Sequence, residues 1–110
     1  MQPRLATDVW VRAYLKRLEL AHIPAYITAH GDATSGAVMV KCATLDGQAA
    51  LWEHGYDLGL DARAWRVLHQ GPETEIDASL RRQRGFDPDL WVVEIESRSG
   101  RTLLDEEGLG

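Results

Sequence analysis

Residues 90–96, Leu-Trp-Val-Val-Glu-Ile-Glu, form the strongest β-strand signal in the chain and restrict its fold more than any other segment. β-Branched and aromatic side chains dominate the run. Alternation puts Trp91, Val93 and Ile95 on one side and Leu90, Val92, Glu94 and Glu96 on the other. Such a strand needs a sheet to pair with and another layer to cover it.

The covering layer is legible at two places. Residues 6–22 carry Trp10, Val11, Tyr14, Leu15, Leu18 and Ala21 on one helical stripe, with Arg12, Lys16 and Glu19 opposite. Thr7 or Asp8 is placed to cap this helix, and Pro24 stops it. Gly71-Pro72 opens a second helix over residues 72–84. Glu73, Glu75 and Asp77 crowd its start and Arg81, Arg82 and Arg84 its end, the charge order the macrodipole favours. Its stripe is narrow, chiefly Ile76 and Leu80.

The partner strands lie between the helices. Residues 25–30 and 37–43 flank a polar loop, Gly31-Asp32-Ala33-Thr34-Ser35-Gly36, and Asp46-Gly47 suits a two-residue hairpin loop. That loop sets Cys42 opposite Leu51, Lys41 opposite Trp52 and Met39 opposite His54, in a three-stranded antiparallel meander. Val38, Val40, Cys42 and Leu51 then share a core face, and Met39, Lys41, Trp52 and His54 share the other. Residues 55–63 read as irregular, 65–69 as a short fourth strand, and 102–104 as a last short strand. The expected architecture is α+β, an antiparallel sheet of four to six strands with both helices packed against it. Residues 1–110 read as a single domain, with an ordered core over 4–104 and an acidic tail, 105–110, that frays.

Composition narrows the function classes. Of 110 residues, 45% are hydrophobic and 26% charged, an ordinary globular balance, and a chain of this length needs no staple to hold a core. Cys42 is alone, so no intrachain disulfide forms and a reducing compartment is expected. The start of the chain lacks the apolar stretch of a secretory signal. No run approaches the ~20 apolar residues that span a bilayer. These features predict a cytoplasmic protein with no membrane association. The net charge of −5 disfavours nucleic acid.

Three segments, PRLATDVWVRAYLKR, HGDATSGAVMVK and RGFDPDLWVVEIESRSGR, together resemble a family of small alphaproteobacterial proteins, the domain of unknown function 1491. The resemblance spans residues 3–104 and is most specific at FDPDLWVVEIE. It implies a compact, stand-alone bacterial domain, and brings no activity, cofactor or catalytic residue with it.

Candidate chemistry therefore rests on the residues themselves. Glu94 and Glu96 project from one strand face, with Asp87 and Asp89 at the strand entrance, a cluster suited to a hard divalent cation. Metal-dependent nucleases with such acids place a lysine two residues beyond the second one, where this chain has Arg98. A solvated strand face after an Asp-Pro turn explains the same residues. His22, His30, His54 and His69 lack ligand spacing, so no metal site or cofactor is expected. Cys42 reads as inert packing. Ser35 lacks a nucleophile elbow, and Arg81, Arg82 and Arg84 serve their helix end. The mixed Met39, Lys41, Trp52, His54 face suggests an interface, either with a second copy or with an unidentified protein partner. The leading expectation is a non-enzymatic binding or assembly module acting through a sheet face or edge strand. The alternative is a small metal-dependent hydrolase built on Asp87, Asp89, Glu94 and Glu96.

Overall fold

The computed structural model describes residues 5–106 and 108–109. In chain order the elements are α1 (Thr7–Leu20), β1 (Ala25–Ala29), β2 (Val38–Ala43), β3 (Gln48–Asp57), β4 (Ala62–Pro72), α2 (Glu73–Phe86) and β5 (Trp91–Glu96). The five strands form one sheet in the order β1-β5-β2-β3-β4. It is an α+β fold, but the sheet is mixed: β5 runs antiparallel to β1 and parallel to β2.

The expected meander is thereby corrected. β5 enters between β1 and β2, which do not pair. The reason lies in the side chains. Trp91, Val93 and Ile95 are buried on one face of β5 while Val92 is buried on the other, so β5 needs cover on both sides and occupies the middle. In β1 only alternate residues are protected and Tyr26 is exposed, which suits an edge.

Each face has its own core. Val11, Tyr14 and Leu18 of α1 pack on Val40, Cys42, Trp91, Val93 and Ile95, joined by Leu103, Leu104 and Leu109 from beyond β5. The Tyr14 hydroxyl donates to the Thr102 carbonyl at 2.8 Å, tying that segment to α1. Residues 102–104 are thus core-filling coil and not a strand, and Leu109, in the tail expected to fray, is buried. On the opposite face Ile76 and Leu80 of α2 pack with Met39, Leu51, Leu90 and Val92.

The hairpin register differs from expectation by one residue. Lys41 faces Leu51, Cys42 faces Ala50 and Val40 faces Trp52. The turn is longer than two residues: Leu45 and Gly47 both take positive φ, and the Thr44 N–H bonds the Gln48 carbonyl at 3.2 Å. The Asp46 carboxylate accepts from the Thr44 hydroxyl at 2.6 Å and the Gln48 N–H at 3.1 Å. Side chains alternate with period two, so this single step moves Trp52 and His54 to the α1 side and leaves Met39 and Lys41 on the α2 side. β3 and β4 also run on through the segment read as irregular, pairing as far as Asp57 with Ala62.

At one end of the sheet the two most distinctive sequence motifs meet. Asp32 donates its N–H to the Asp89 carbonyl at 3.0 Å, and the Trp91 indole donates to the Asp32 carbonyl at 2.8 Å. Neither Thr7 nor Asp8 caps α1. Their N–H groups donate to the carbonyls of Thr34 and Ala33 in the same loop, and the Thr7 hydroxyl donates to Gly36.

Candidate functional site

Lys41 is the anomaly around which the candidate site is built. It sits in the apolar run of β2 and is only 2% exposed, an unusual place for an ammonium group. Its Nζ lies 2.6 Å from Asp77 Oδ1, 2.8 Å from Glu73 Oε2 and 3.3 Å from Glu94 Oε1. Helical spacing explains two of these partners. Glu73 and Asp77 are four residues apart on one face of α2, and fully buried Ile76 brings that face down onto the sheet. Glu94 arrives from β5, where it is the backbone partner of Lys41.

Burial alone would lower the Lys41 pKa. The hydrogen bonds to Asp77 and Glu73, with the charge of Glu94, outweigh it and push the pKa above the ordinary lysine value. The group is therefore a fixed cation at neutral pH, which removes it as a nucleophile or Schiff-base former. Three carboxylates surround one ammonium, so the cluster is acidic overall. A divalent cation binding there would have to displace Nζ. Among the described residues, no group of three His, Cys, Asp or Glu side chains is placed to hold a metal.

The predicted site residues are dispersed by the fold. Glu94 joins Lys41, whereas Glu96 hydrogen-bonds the Tyr26 side chain, which raises the tyrosine pKa. Asp87 and Asp89 lie at the other end of β5. The Asp87 carboxylate there accepts the Asp89 N–H at 3.0 Å in a turn, and Arg84 clamps that turn through the Pro88 and Leu90 carbonyls at 2.6 and 2.9 Å. The four-carboxylate cluster proposed from sequence does not assemble. Nor does the Met39, Lys41, Trp52, His54 face: Met39 packs with Leu51 under α2, Trp52 packs on the α1 side, and His54 lies against Trp65, 5.0 Å between ring centres. Cys42 is buried, and burial raises its pKa. Glu73 and Asp77 were missed as site residues. The available signal was a lysine inside an apolar strand, which demands acidic partners, and an acidic pair flanking the one strong core residue of α2.

A family described as "Protein of unknown function (DUF1491)" matches residues 5–105. The chain belongs to the DUF1491 family. The crystal structure of a DUF1491 family protein from Caulobacter crescentus CB15 is 39% identical over 93% of this chain and 94% of that one, with a TM-score of 0.79. An NMR structure of a DUF1491 family protein from the same organism is 39% identical over 96% of each chain, with a TM-score of 0.82. The solution structure of protein Atu0922 from A. tumefaciens is 31% identical over 86% of this chain and 87% of that one, with a TM-score of 0.72. Comparison with curated proteins finds no match. Membership of DUF1491 supports the fold and brings no assigned activity. Among the described residues, no helix is long and apolar enough to cross a membrane.

Proposed function

We propose that this DUF1491 protein is a non-enzymatic assembly module whose contact surface is the open edge of β4, and that the occupant is a second copy of the chain. The observation that carries this reading is the edge itself. Each face of the sheet carries a core, while β4, Ala62–Pro72, pairs among the described residues with β3 alone, so its outer edge has no strand partner. Long open edges are normally blunted by charged side chains, above all lysine, by proline, by β-bulges or by a covering loop. Here the only proline is the last residue of the strand and no lysine occurs in it, which leaves Arg63, Arg66 and the register shift at Leu68 as the guards of an 11-residue strand.

The edge is also suited to a twofold axis. Val67 is the middle residue of β4, and Val67 and Leu68 are each 42% exposed. Antiparallel pairing of two β4 strands about that point sets these apolar side chains beside their counterparts and joins two five-stranded sheets into one. β2 ends as a partner at Glu53, and beyond the His54–Trp65 pair, the last held against α1 through Trp10, the β3–β4 hairpin runs on to a tip bearing exposed Tyr56, Leu58 and Leu60. A two-stranded ribbon alone is marginal in water, and dimer contacts would steady it. The lone, buried thiol of Cys42 is suited to a reducing compartment and supports a cytoplasmic setting.

Light scattering and sedimentation equilibrium test the reading. The expected result is a dimer at micromolar concentration, with an interface on the order of 1,200 Å² or more, and a folded monomer for Val67→Lys. A wild-type monomer at about 100 µM, well above the dissociation constants typical of such interfaces, overturns it. A dimer untouched by Val67→Lys overturns the β4 edge as its site.

A further inference from the structure

On the α1 side of the sheet, residues 100–105 cross in front of the β3–β4 hairpin and leave a cavity of about 550 Å³. That volume is in the range of small-molecule sites. Its lining includes Trp52, Trp65, Arg63, Arg101 and Asp105. We propose that this cavity binds a planar aromatic anion, its ring against Trp52 and its phosphate or carboxylate toward Arg63 and Arg101.

The aromatic wall is built in advance. The Trp65 indole donates to the Leu109 carbonyl at 2.8 Å. Its ring stacks on Trp10 with 5.4 Å between centres and 27° between planes, and Trp10 in turn stacks on Tyr14 at 5.0 Å. This chain of rings runs from the cavity into the α1 core and holds the Trp65 orientation without help from a ligand. His54 lies against the same Trp65 ring, 5.0 Å between centres, so Trp65 is a fixed wall and Trp52 supplies the platform for a planar ring.

The guanidinium groups supply the charge preference. A guanidinium offers five N–H donors in a plane that matches carboxylate and phosphate oxygens. Among the described residues, Arg63 makes one long hydrogen bond, to the His54 carbonyl at 3.5 Å, and Arg101 one loose ion pair, with Glu106 at 3.7 Å. By contrast Lys41, on the other face, has three carboxylates within 3.3 Å. In a chain of net charge −5, two arginines from separate segments line this cavity with most of their donors unused, offset in part by the charge of Asp105. Asp105 adds an acceptor for an amino or hydroxyl group on the ring.

The test uses the full chain, with tryptophan fluorescence and the indole N–H signals of its NMR spectrum as readouts. Adenosine 5′-monophosphate and 4-hydroxybenzoate are the ring-bearing anions; adenosine and inorganic phosphate are the separated halves. The expected result is a saturable change at the Trp52 or Trp65 indole with at least one ring-bearing anion. Either half should bind about tenfold or more weakly. Arg63→Gln with Arg101→Gln, two exposed substitutions that leave the fold intact, should abolish the change. No saturable response to either anion up to about 10 mM overturns the proposal, as does undiminished binding by the double variant. Phosphate binding as tightly as the ring-bearing anions would reduce the cavity to a simple anion site and also overturns it. The oligomeric state, measured separately, leaves each of these outcomes unaffected.

Discussion

Lys41 and Glu94 face each other across the parallel β2–β5 pair, with Nζ 3.3 Å from Oε1, and α2 closes over them with Glu73 and Asp77. One buried ammonium thus joins two central strands to the helix that covers them. Its partners keep some contact with water, their side chains 29–42% exposed, which limits the desolvation cost to the lysine itself.

Lys41→Met retains the volume and removes the charge, leaving three carboxylates crowded together. The expected loss is about 3 kcal/mol at neutral pH, read from denaturant unfolding followed by circular dichroism. Because the loss comes from repulsion between partly exposed carboxylates, it should shrink as salt screens them. A loss that is the same at about 0.05 M and about 1 M salt would assign the cost to packing.

Trp91→Ala is expected to cost roughly 3–5 kcal/mol, since the ring is 6% exposed within the α1-side core. Trp91→Phe keeps most of the burial but loses the bond to the Asp32 carbonyl, for about 1 kcal/mol. Glu96→Ala, at the partly exposed end of the same strand, should change stability by about 0.5 kcal/mol. Equal losses for Trp91→Ala and Glu96→Ala would contradict the assignment of faces.

Two glycines of the 31–36 loop are held against the turn before β5. A Cβ on Gly31 or Gly36 would run into the Asp89 carbonyl, and on Gly31 into the Trp91 ring as well. Gly36→Ala should therefore destabilise by roughly 2–3 kcal/mol, an overpacking cost the backbone carbonyl cannot easily relieve. Gly85→Ala is the contrasting change. It lies inside α2 with nothing within 4 Å of its Cβ, and should gain about 0.5 kcal/mol from helix propensity. Thermal melting of the two variants reads both signs.

Acid should weaken the loops before it weakens the core. The N–H and hydroxyl of Ser35, with the Thr34 N–H, hold the Asp32 pKa below the ordinary carboxylate value. The Thr44 hydroxyl and the Gln48 N–H do the same for Asp46. A depressed folded-state pKa contributes stability that is complete above the unfolded value and is lost as pH falls through the folded one. The window therefore lies below about pH 4. Asp32→Asn should flatten the fall in melting temperature below that pH and leave the slope between pH 5 and 7 unchanged (about the range where carboxylates stay ionised).

Much of the fold is written locally. The stripe containing Val11, Tyr14 and Leu18 defines α1, Ile76 and Leu80 define the buried side of α2, and the alternation in residues 90–96 separates Trp91, Val93 and Ile95 from Leu90 and Val92. The site was legible only in fragments, Lys41 in one candidate set and Glu94 in another, because their contact depends on a pairing between strands far apart in the chain.

The sequence by itself determined the α+β class, the two helices, the family and the faces of β5, because side-chain periodicity is a local property. Tertiary structure alone decided that β5 lies between β1 and β2, a placement that answers to burial on both of its faces and not to chain order. It also decided the hairpin register, where one extra turn residue with positive φ at Leu45 moved Trp52 and His54 away from Met39 and Lys41. With a side-chain period of two, no smaller change could have exchanged the faces, and no pattern within the strands themselves announces it.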